Sequence, residues 1–303
     1  MNKKTIIIGS TGFVGQNLAS YLKSKGHSYT CILRDQLNNG PGPFFDPDTT
    51  IVYLAGKAHD LKKVSDPEEY YKINFELTKK IYNFFLASNA KKFIFISSIK
   101  AVADSVQGIL DETFKPNPIT DYGKSKLMAE EYIKRQPLSE GKSFYILRPC
   151  MIHGPGNKGN LNLLYKFVKL GVPYPLADFE NKRSFLSVEN LCFIIYHLII
   201  SNCIESGIYN VSDDAALSTN DVVSILGQSL NIKTRLWKIP KNIVLFFAKA
   251  GDLLHLPLTS ERLNKLTESY VVSNKKIKHA LNQELPLSSV EGLKITAGSF
   301  NRK

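Results

Sequence analysis

The stretch YGKSK at residues 122–126 sets a phenol and an ammonium four positions apart, and the upstream segment FIFISS at 93–98 ends in a pair of hydroxyls. On a helix, residues i and i+4 share a face, so Tyr122 and Lys126 point the same way and Lys124 roughly the opposite way. Thr120 or Asp121 can cap that helix. A free tyrosine has a pKa of about 10, and work as a base near neutrality requires a fall of roughly 3 units, or about 4 kcal/mol. An ammonium ~4 Å away supplies about 1 kcal/mol in bulk water and about 4 kcal/mol at an effective dielectric near ~20. The pair therefore works only where water is partly excluded. Ser98 could hydrogen-bond the oxygen from which Tyr122 takes the proton. Taken singly, a Y-x-x-x-K is most often a solvated helix surface and a strand-end serine a turn; the ordered set is what carries chemistry.

Something must hold these groups at one place. Short β-branched runs recur along the first half of the chain: TIIIG at 5–9, YTCILR at 29–34, IVYLAG at 51–56, FIFISS at 93–98 and FYILRP at 144–149. Near-continuous apolar strands separated by helical patterns indicate a parallel sheet covered on both faces. The fold class is thus α/β, a doubly wound parallel sheet, and Ser98 at the C-terminal end of a strand lies where such sheets bind ligands. One crossover is weak: residues 35–50, DQLNNGPGPFFDPDTT, hold turn formers and no helix pattern. Beyond Pro149 come glycine- and proline-rich loops (HGPGNKG, GVPYP), an apolar helix near 188–201, a further strand GIYNVS at 207–212, and a capping box STND at 218–221. The last 70 or so residues read as mainly helical.

GSTGFVG at 9–15 follows the first strand and precedes the pattern VGQNLASYLKSKG. Glycines at this spacing allow a tight turn, close approach of a pyrophosphate to the backbone, and packing of helix on strand. The helix N-terminus then faces the phosphates with free N–H groups and partial positive charge. A dinucleotide cofactor is the expectation. The second strand ends Leu33, Arg34, Asp35. Arg34 favours a cofactor with a 2′-phosphate, NADP, while Asp35 beside it could reach a ribose hydroxyl as in NAD binding. A nicotinamide cation would add to the shift wanted at Tyr122, and Lys126 could also hold the nicotinamide ribose.

Composition excludes several classes. The 303 residues are 43% hydrophobic, ordinary for a globular chain. The longest apolar run, LCFIIYHLII at 191–200, is half a membrane span and contains His197. The opening MNKKTIIIGSTG has too short an apolar stretch for a signal peptide, so a cytoplasmic protein beginning at Met1 is expected. Four cysteines without a C-x-x-C pair suit reduced thiols and neither a disulfide framework nor a zinc site. The net charge of +12 comes from dispersed lysine pairs, without an arginine stripe or interleaved stacking aromatics, so nucleic acid is not an expected partner. Solvated faces or a field that draws in phosphate-bearing small molecules account for it.

On these motifs the chain resembles the extended short-chain dehydrogenases/reductases of the NAD-dependent epimerase/dehydratase family. The likeness runs nearly end to end, through STGFVG, VYLAGKAH, KINFELTKK, FIFISS, YGKSK, LRPCMIHGPG, NKRSFLSVENL and IYNVS. It implies Ser98, Tyr122 and Lys126 as the catalytic set. It places Gly9, Thr11, Gly12, Phe13, Val14 and Gly15 at the pyrophosphate and Leu54, Ala55 and Gly56 on the far side of an NAD(P) cofactor. It also implies a UDP-sugar substrate, with Asn160, Arg183 and, more weakly, Arg262 contacting the nucleotide diphosphate. His153 reads as structural.

The division that follows is a dinucleotide-binding Rossmann domain over 1–155, rejoined by about 184–212. A smaller, mainly helical substrate domain comprises 156–183 and 213–303. Relatives pair through two helices of the dinucleotide domain, so a homodimer is expected. Departures from the family pattern bear on the reaction. Dehydratases of the family carry an Asp-Glu pair after the strand-end hydroxyl, because loss of water needs an acid and a base beyond the tyrosine. Here the residues are Ile99 and Lys100, which argues against 4,6-dehydration. Val102 and Ala103 replace a usual tyrosine-glycine, and Cys150 an asparagine. Hydride transfer at C4 of the sugar, by an epimerase or a 4-keto reductase of surface polysaccharide synthesis, is the leading expectation. A regulatory protein that senses NAD(P) without catalysis is the alternative.

Overall fold

The computed structural model describes residues 4–33, 36, 49–57, 66–157, 160–254 and 259–300. In chain order its elements begin β1 (Thr5–Ile8), α1 (Phe13–Ser24), β2 (Tyr29–Ile32), β3 (Thr50–Tyr53), α2 (Pro67–Tyr70), a π-helical stretch (Tyr71–Glu76), α3 (Leu77–Ala87) and β4 (Lys92–Ile96). They continue with β5 (Ile109–Leu110), α4 (Asp121–Arg135), β6 (Ser143–Pro149), β7 (Met151–His153), α5 (Asn160–Lys169), β8 (Phe185–Ser187), α6 (Val188–Ile200) and β9 (Gly207–Val211). The chain then forms α7 (Thr219–Ser229), α8 (Lys241–Leu254), α9 (Ser260–Thr267), β10 (Val271–Val272), α10 (Lys275–Leu281) and α11 (Ser289–Phe300).

Six strands make one parallel sheet in the order β2-β1-β3-β4-β6-β9. Alternation along β1 assigns its two faces. Ile7 packs with Leu18 and Leu22 of α1 and with the apolar side of α6, whereas Ile6 and Ile8 pack with Ile81, Tyr82 and Phe85 of α3 and Ala129 and Ile133 of α4. Both faces are therefore covered, which is why TIII is buried at all four positions. The apolar run around 191–200 is the inner helix α6 of this arrangement. Strand order reverses beside β1, since β2 lies on one side of it and β3 on the other. The crevice beyond the C-terminal ends of β1 and β3 is thus the switch point at which open sheets take ligands.

A separate apolar cluster lies in the C-terminal elements, joining Leu161 and Tyr165 of α5, Val222 and Leu226 of α7, Val244 and Ala248 of α8, Leu263 of α9 and Leu293 of α11. The STND segment forms the expected capping box at Ser218 and Asp221. His153 is fully buried, with Nδ1 2.8 Å from Thr296 Oγ1 and Nε2 3.7 Å from the Asp213 carboxylate. It ties β7 to α11, which is a structural task. The four cysteines are free thiols, Cys150 and Cys192 buried and Cys31 and Cys203 exposed. No helix among the described residues is long and apolar enough to cross a membrane.

Candidate active site

β4 ends at Ile96, and two residues later Ser98 caps the single helical turn Ile99–Ala101, its Oγ accepting from Lys100 N at 3.2 Å. The same hydroxyl hydrogen-bonds the Tyr122 phenol. What brings α4 close enough is Gly123: a Cβ there would stand 2.4 Å from the Lys100 carbonyl oxygen and 2.8 Å from Pro118 Cβ. The first turn of α4 is fixed by Thr120, whose side chain accepts from Gly123 N at 3.3 Å, so of the two expected caps Thr120 is the one used. Asp104 in turn accepts from Ile119 N and Thr120 N at 2.7 and 3.2 Å.

One turn along α4, Lys126 is buried while Lys124 is exposed, as the four-residue spacing predicts. Its ammonium donates to the Ile96 carbonyl at 2.9 Å and lies 4.9 Å over the Phe95 ring. Burial lowers its pKa to about 8, against a smaller upward pull from Glu130. Glu130 has little charge to spare, because both its oxygens accept from Arg148 Nε at 3.0 Å. The Tyr122 ring meets Tyr70 edge-on at 6.0 Å. Here the structure corrects an expectation: burial pushes the Tyr122 phenol above its ordinary value, the Ser98 hydrogen bond opposes that push, and Tyr70 reinforces it. Exclusion of water, counted on to strengthen the ammonium, disfavours both charged forms, and it is the largest influence on each of the two groups.

Asn74, in the π-helical stretch, is a site residue the sequence reading missed. It is fully buried; Oδ1 accepts from Lys57 N at 2.8 Å, and Nδ2 donates to Lys57 O and to Ser125 Oγ, each at 3.2 Å. It thereby joins the end of β3 to α4. A Cβ on Gly56 would lie 3.0 Å from both Asn74 Oδ1 and Lys126 Nζ. An amide at the i+4 spacing from Tyr70 and ahead of Thr78 and Ile81, all buried on the same face, was a visible signal, since a polar side chain on a buried helix face requires a partner.

The glycine turn fits a dinucleotide. Gly9 has φ +94°, and a Cβ on it would stand 2.7 Å from Ala55 N and 2.9 Å from the Leu54 carbonyl carbon. A Cβ on Gly15 would lie 2.3 Å from Gly9 O. These two absences let the β1–α1 turn and the strand end Leu54, Ala55, Gly56 close on each other at the switch point. Thr11 and Gly12 are exposed, Phe13 and Val14 half-buried. Helix α1 starts at Gly12 with no side-chain cap and no acid in its first turn, leaving its positive end to an anion.

The other expected residues are more dispersed. Arg34 lies outside the described residues. Asn160 opens α5, and its side chain also lies outside them. Arg183 sits in backbone bridges to Leu217 and Tyr270, its guanidinium 3.7 Å from the Glu268 carboxylate. Tyr270 links it to the Ser98 turn: its hydroxyl donates to Ala103 O at 2.6 Å, and the Lys100 ammonium is 4.5 Å from its ring centre. Arg262 is exposed on α9.

Comparison with known proteins agrees with this geometry. A family model described as the NAD dependent epimerase/dehydratase family matches residues 5–212. A UDP-glucose 4-epimerase of Vibrio cholerae is 30% identical over 99% of this chain and 96% of its own length. An N-acetyl-α-D-glucosaminyl-diphospho-ditrans,octacis-undecaprenol 4-epimerase of Escherichia coli O157:H7 is 28% identical over 92% of this chain and 85% of its own. Among solved structures, RMD from Pseudomonas aeruginosa complexed with NADPH superposes with a TM-score of 0.75 at 17% identity, covering 99% of this chain and 100% of that one. The UDP-N-acetylglucosamine 4-epimerase of Bacillus cereus gives 0.75 at 20% identity, covering 99% of both. Strand order, glycine turn and the Ser98–Tyr122–Lys126 cluster thus coincide with an end-to-end likeness, and the chain belongs to the NAD dependent epimerase/dehydratase family of enzymes.

Proposed function

We propose that this enzyme transfers hydride at C4 of a hexose activated through a diphosphate, with NAD(P) as cofactor. The observation that carries the reading is the convergence of Ser98 Oγ on the Tyr122 phenol, one helical turn from a buried Lys126. Ser98 orients the sugar hydroxyl, Tyr122 takes or gives its proton, and Lys126 orients the cofactor's ribose and stabilises the phenolate. The bound cofactor supplies hydride acceptance or donation and, when oxidised, positive charge beside the phenol. Gly9, Gly12 and Gly15 receive the pyrophosphate, with Leu54, Ala55 and Gly56 along its other side. Residues 1–155 and about 184–212 bind the dinucleotide, and residues 156–183 and 213–303 bind the sugar carrier.

For the carrier, UDP is the first reading, with Asn160, Arg183 and Arg262 toward the diphosphate. A guanidinium at Arg183 suits phosphate oxygens by its two-pronged geometry. A polyprenyl diphosphate is the second reading, supported by the 28% identity over 92% of the chain to an epimerase that acts on such a carrier. Ile99 and Lys100 in place of an acidic pair keep the site to epimerisation or 4-keto reduction, chemistry that serves surface polysaccharide synthesis. The deciding experiment incubates the protein with UDP-hexoses, UDP-4-keto sugars and polyprenyl-diphosphate sugars, with each cofactor, following nicotinamide absorbance and sugar product. Tyr122→Phe should cut turnover by about 10²-fold or more while cofactor affinity holds. Undiminished turnover in that variant removes Tyr122 as the base.

A further inference from the structure

Helix α8 is apolar on two sides and buried on one. Val244, Ala248 and Gly251 face the C-terminal core at a spacing of four and three. Ile243, Phe246, Phe247, Leu253 and Leu254 form a second stripe, spread over about 120° of the helix circumference at 100° per residue. That stripe is bare: Phe246 is 68% exposed, Phe247 58% and Leu253 79%. A surface helix ordinarily turns its large apolar groups inward, so a contiguous exposed set of this kind marks a contact surface. Just before the helix, Leu236 and Trp237 are also exposed, on a segment bridged to Tyr174 and Leu176 and joined to α8 through the Pro240 carbonyl, which accepts from Ile243 N at 3.0 Å.

The charge around the stripe selects its occupant. Lys233, Arg235, Lys238, Lys241 and Lys249 are all exposed, and the sequence has no acidic residue between Asp221 and Asp252. At 100° per residue Lys249 borders the stripe about 40° beyond Leu253, whereas Lys241 lies on the opposite side of the helix with its ammonium 5.9 Å from the Phe179 ring centre. Aromatic and leucine side chains on one face, a lysine at its margin, and a basic preceding segment with an exposed tryptophan are the chemistry of a helix lying in the headgroup layer of an anionic bilayer. At 14 residues α8 is too short to span one.

We propose that α8 and the Leu236–Trp237 segment form a peripheral docking surface for an anionic phospholipid membrane. The surface and the candidate sugar-carrier residues share one body, because α8 packs on α9, which carries Arg262, and both belong to the cluster that holds α5. Under the polyprenyl-diphosphate reading of the carrier, on which this functional link rests, the surface would hold the enzyme at the layer where its substrate is anchored.

The test is sedimentation of the full chain with vesicles of phosphatidylcholine, with and without phosphatidylglycerol, at low and raised salt. The wild type should bind the anionic vesicles about tenfold more tightly than the neutral ones, and salt should weaken it. The double variant Phe246→Ser/Phe247→Ser should lose about tenfold or more in vesicle binding while its melting temperature and elution volume stay unchanged. Lys238→Glu/Lys249→Glu, which leaves the apolar stripe intact, should weaken anionic binding alone. Three outcomes overturn the proposal: no wild-type binding to either vesicle, equal binding by all variants, or a smaller assembly of the serine variant in lipid-free buffer with no vesicle binding by the wild type. The last would make the stripe a contact between copies. Turnover of a detergent-dispersed polyprenyl-diphosphate sugar in the absence of vesicles reports on the C4 chemistry separately, so the two readings fail independently.

Discussion

Arg148 of β6 and Glu130 of α4 form a two-pronged ion pair in the core, one helical turn beyond Lys126, with side chains 4% and 1% exposed. Ser97, next to the candidate catalytic serine, donates to the same carboxylate. The pair therefore clamps β6 to the helix that presents Tyr122, and the Ser97 hydrogen bond ties the end of β4, where Ser98 stands, to the same carboxylate.

Removing one partner leaves the other buried and uncompensated. Glu130→Ala should cost about 3–5 kcal/mol of stability, read from the denaturant midpoint. The double replacement Glu130→Met/Arg148→Met should cost less than either single change. If Glu130→Ala proves as stable as wild type, the clamp has no energetic role.

Gly123→Ala isolates the approach of α4 to the Ser98 turn. In a helix alanine is ordinarily favoured over glycine by about 1 kcal/mol. Here the added carbon meets the Lys100 backbone oxygen, so helix and turn must separate. Turnover should fall by about 10²-fold, with dinucleotide affinity retained, since a shift near 1 Å suffices for such a loss. A fully active and more stable variant would contradict the geometry.

Lys126 links the site to pH. Its folded pKa, about 8, lies below the ordinary lysine value of 10.5. Between those limits the unfolded chain binds more protons than the folded one, so stability rises with pH across the window; below about pH 8 the buried ammonium costs the full amount. Lys126→Met lacks this dependence. The wild type should gain stability relative to Lys126→Met from pH 7.5 to pH 10, measured by denaturant titration at each pH. A constant difference would mean that Lys126 keeps an ordinary pKa.

Arg34 bears on cofactor choice. Dissociation constants for NADP and NAD should favour NADP in the wild type, and Arg34→Glu should reverse the preference by about tenfold or more, through loss of a cation for the 2′-phosphate and gain of an acid for the ribose. Tighter NAD binding by the wild type overturns the NADP assignment.

Local rules in the chain were enough to specify the doubly wound sheet, the glycine turn and the shared face of Tyr122 and Lys126, because strand alternation, helical spacing and turn chemistry act over a few residues. Sequence spacing could not reveal that Gly123 admits the Lys100 carbonyl, that Asn74 joins the end of β3 to α4, or that Arg148 neutralises Glu130, since each depends on segments tens of residues apart meeting in the fold. The direction of the phenol's shift was decided there too: desolvation is a property of the assembled site, and it is the largest influence on Tyr122 and on Lys126 alike. For the same reason the letters of α8 place it only in a mainly helical C-terminal region, and tertiary packing alone shows which of its two apolar faces is left bare.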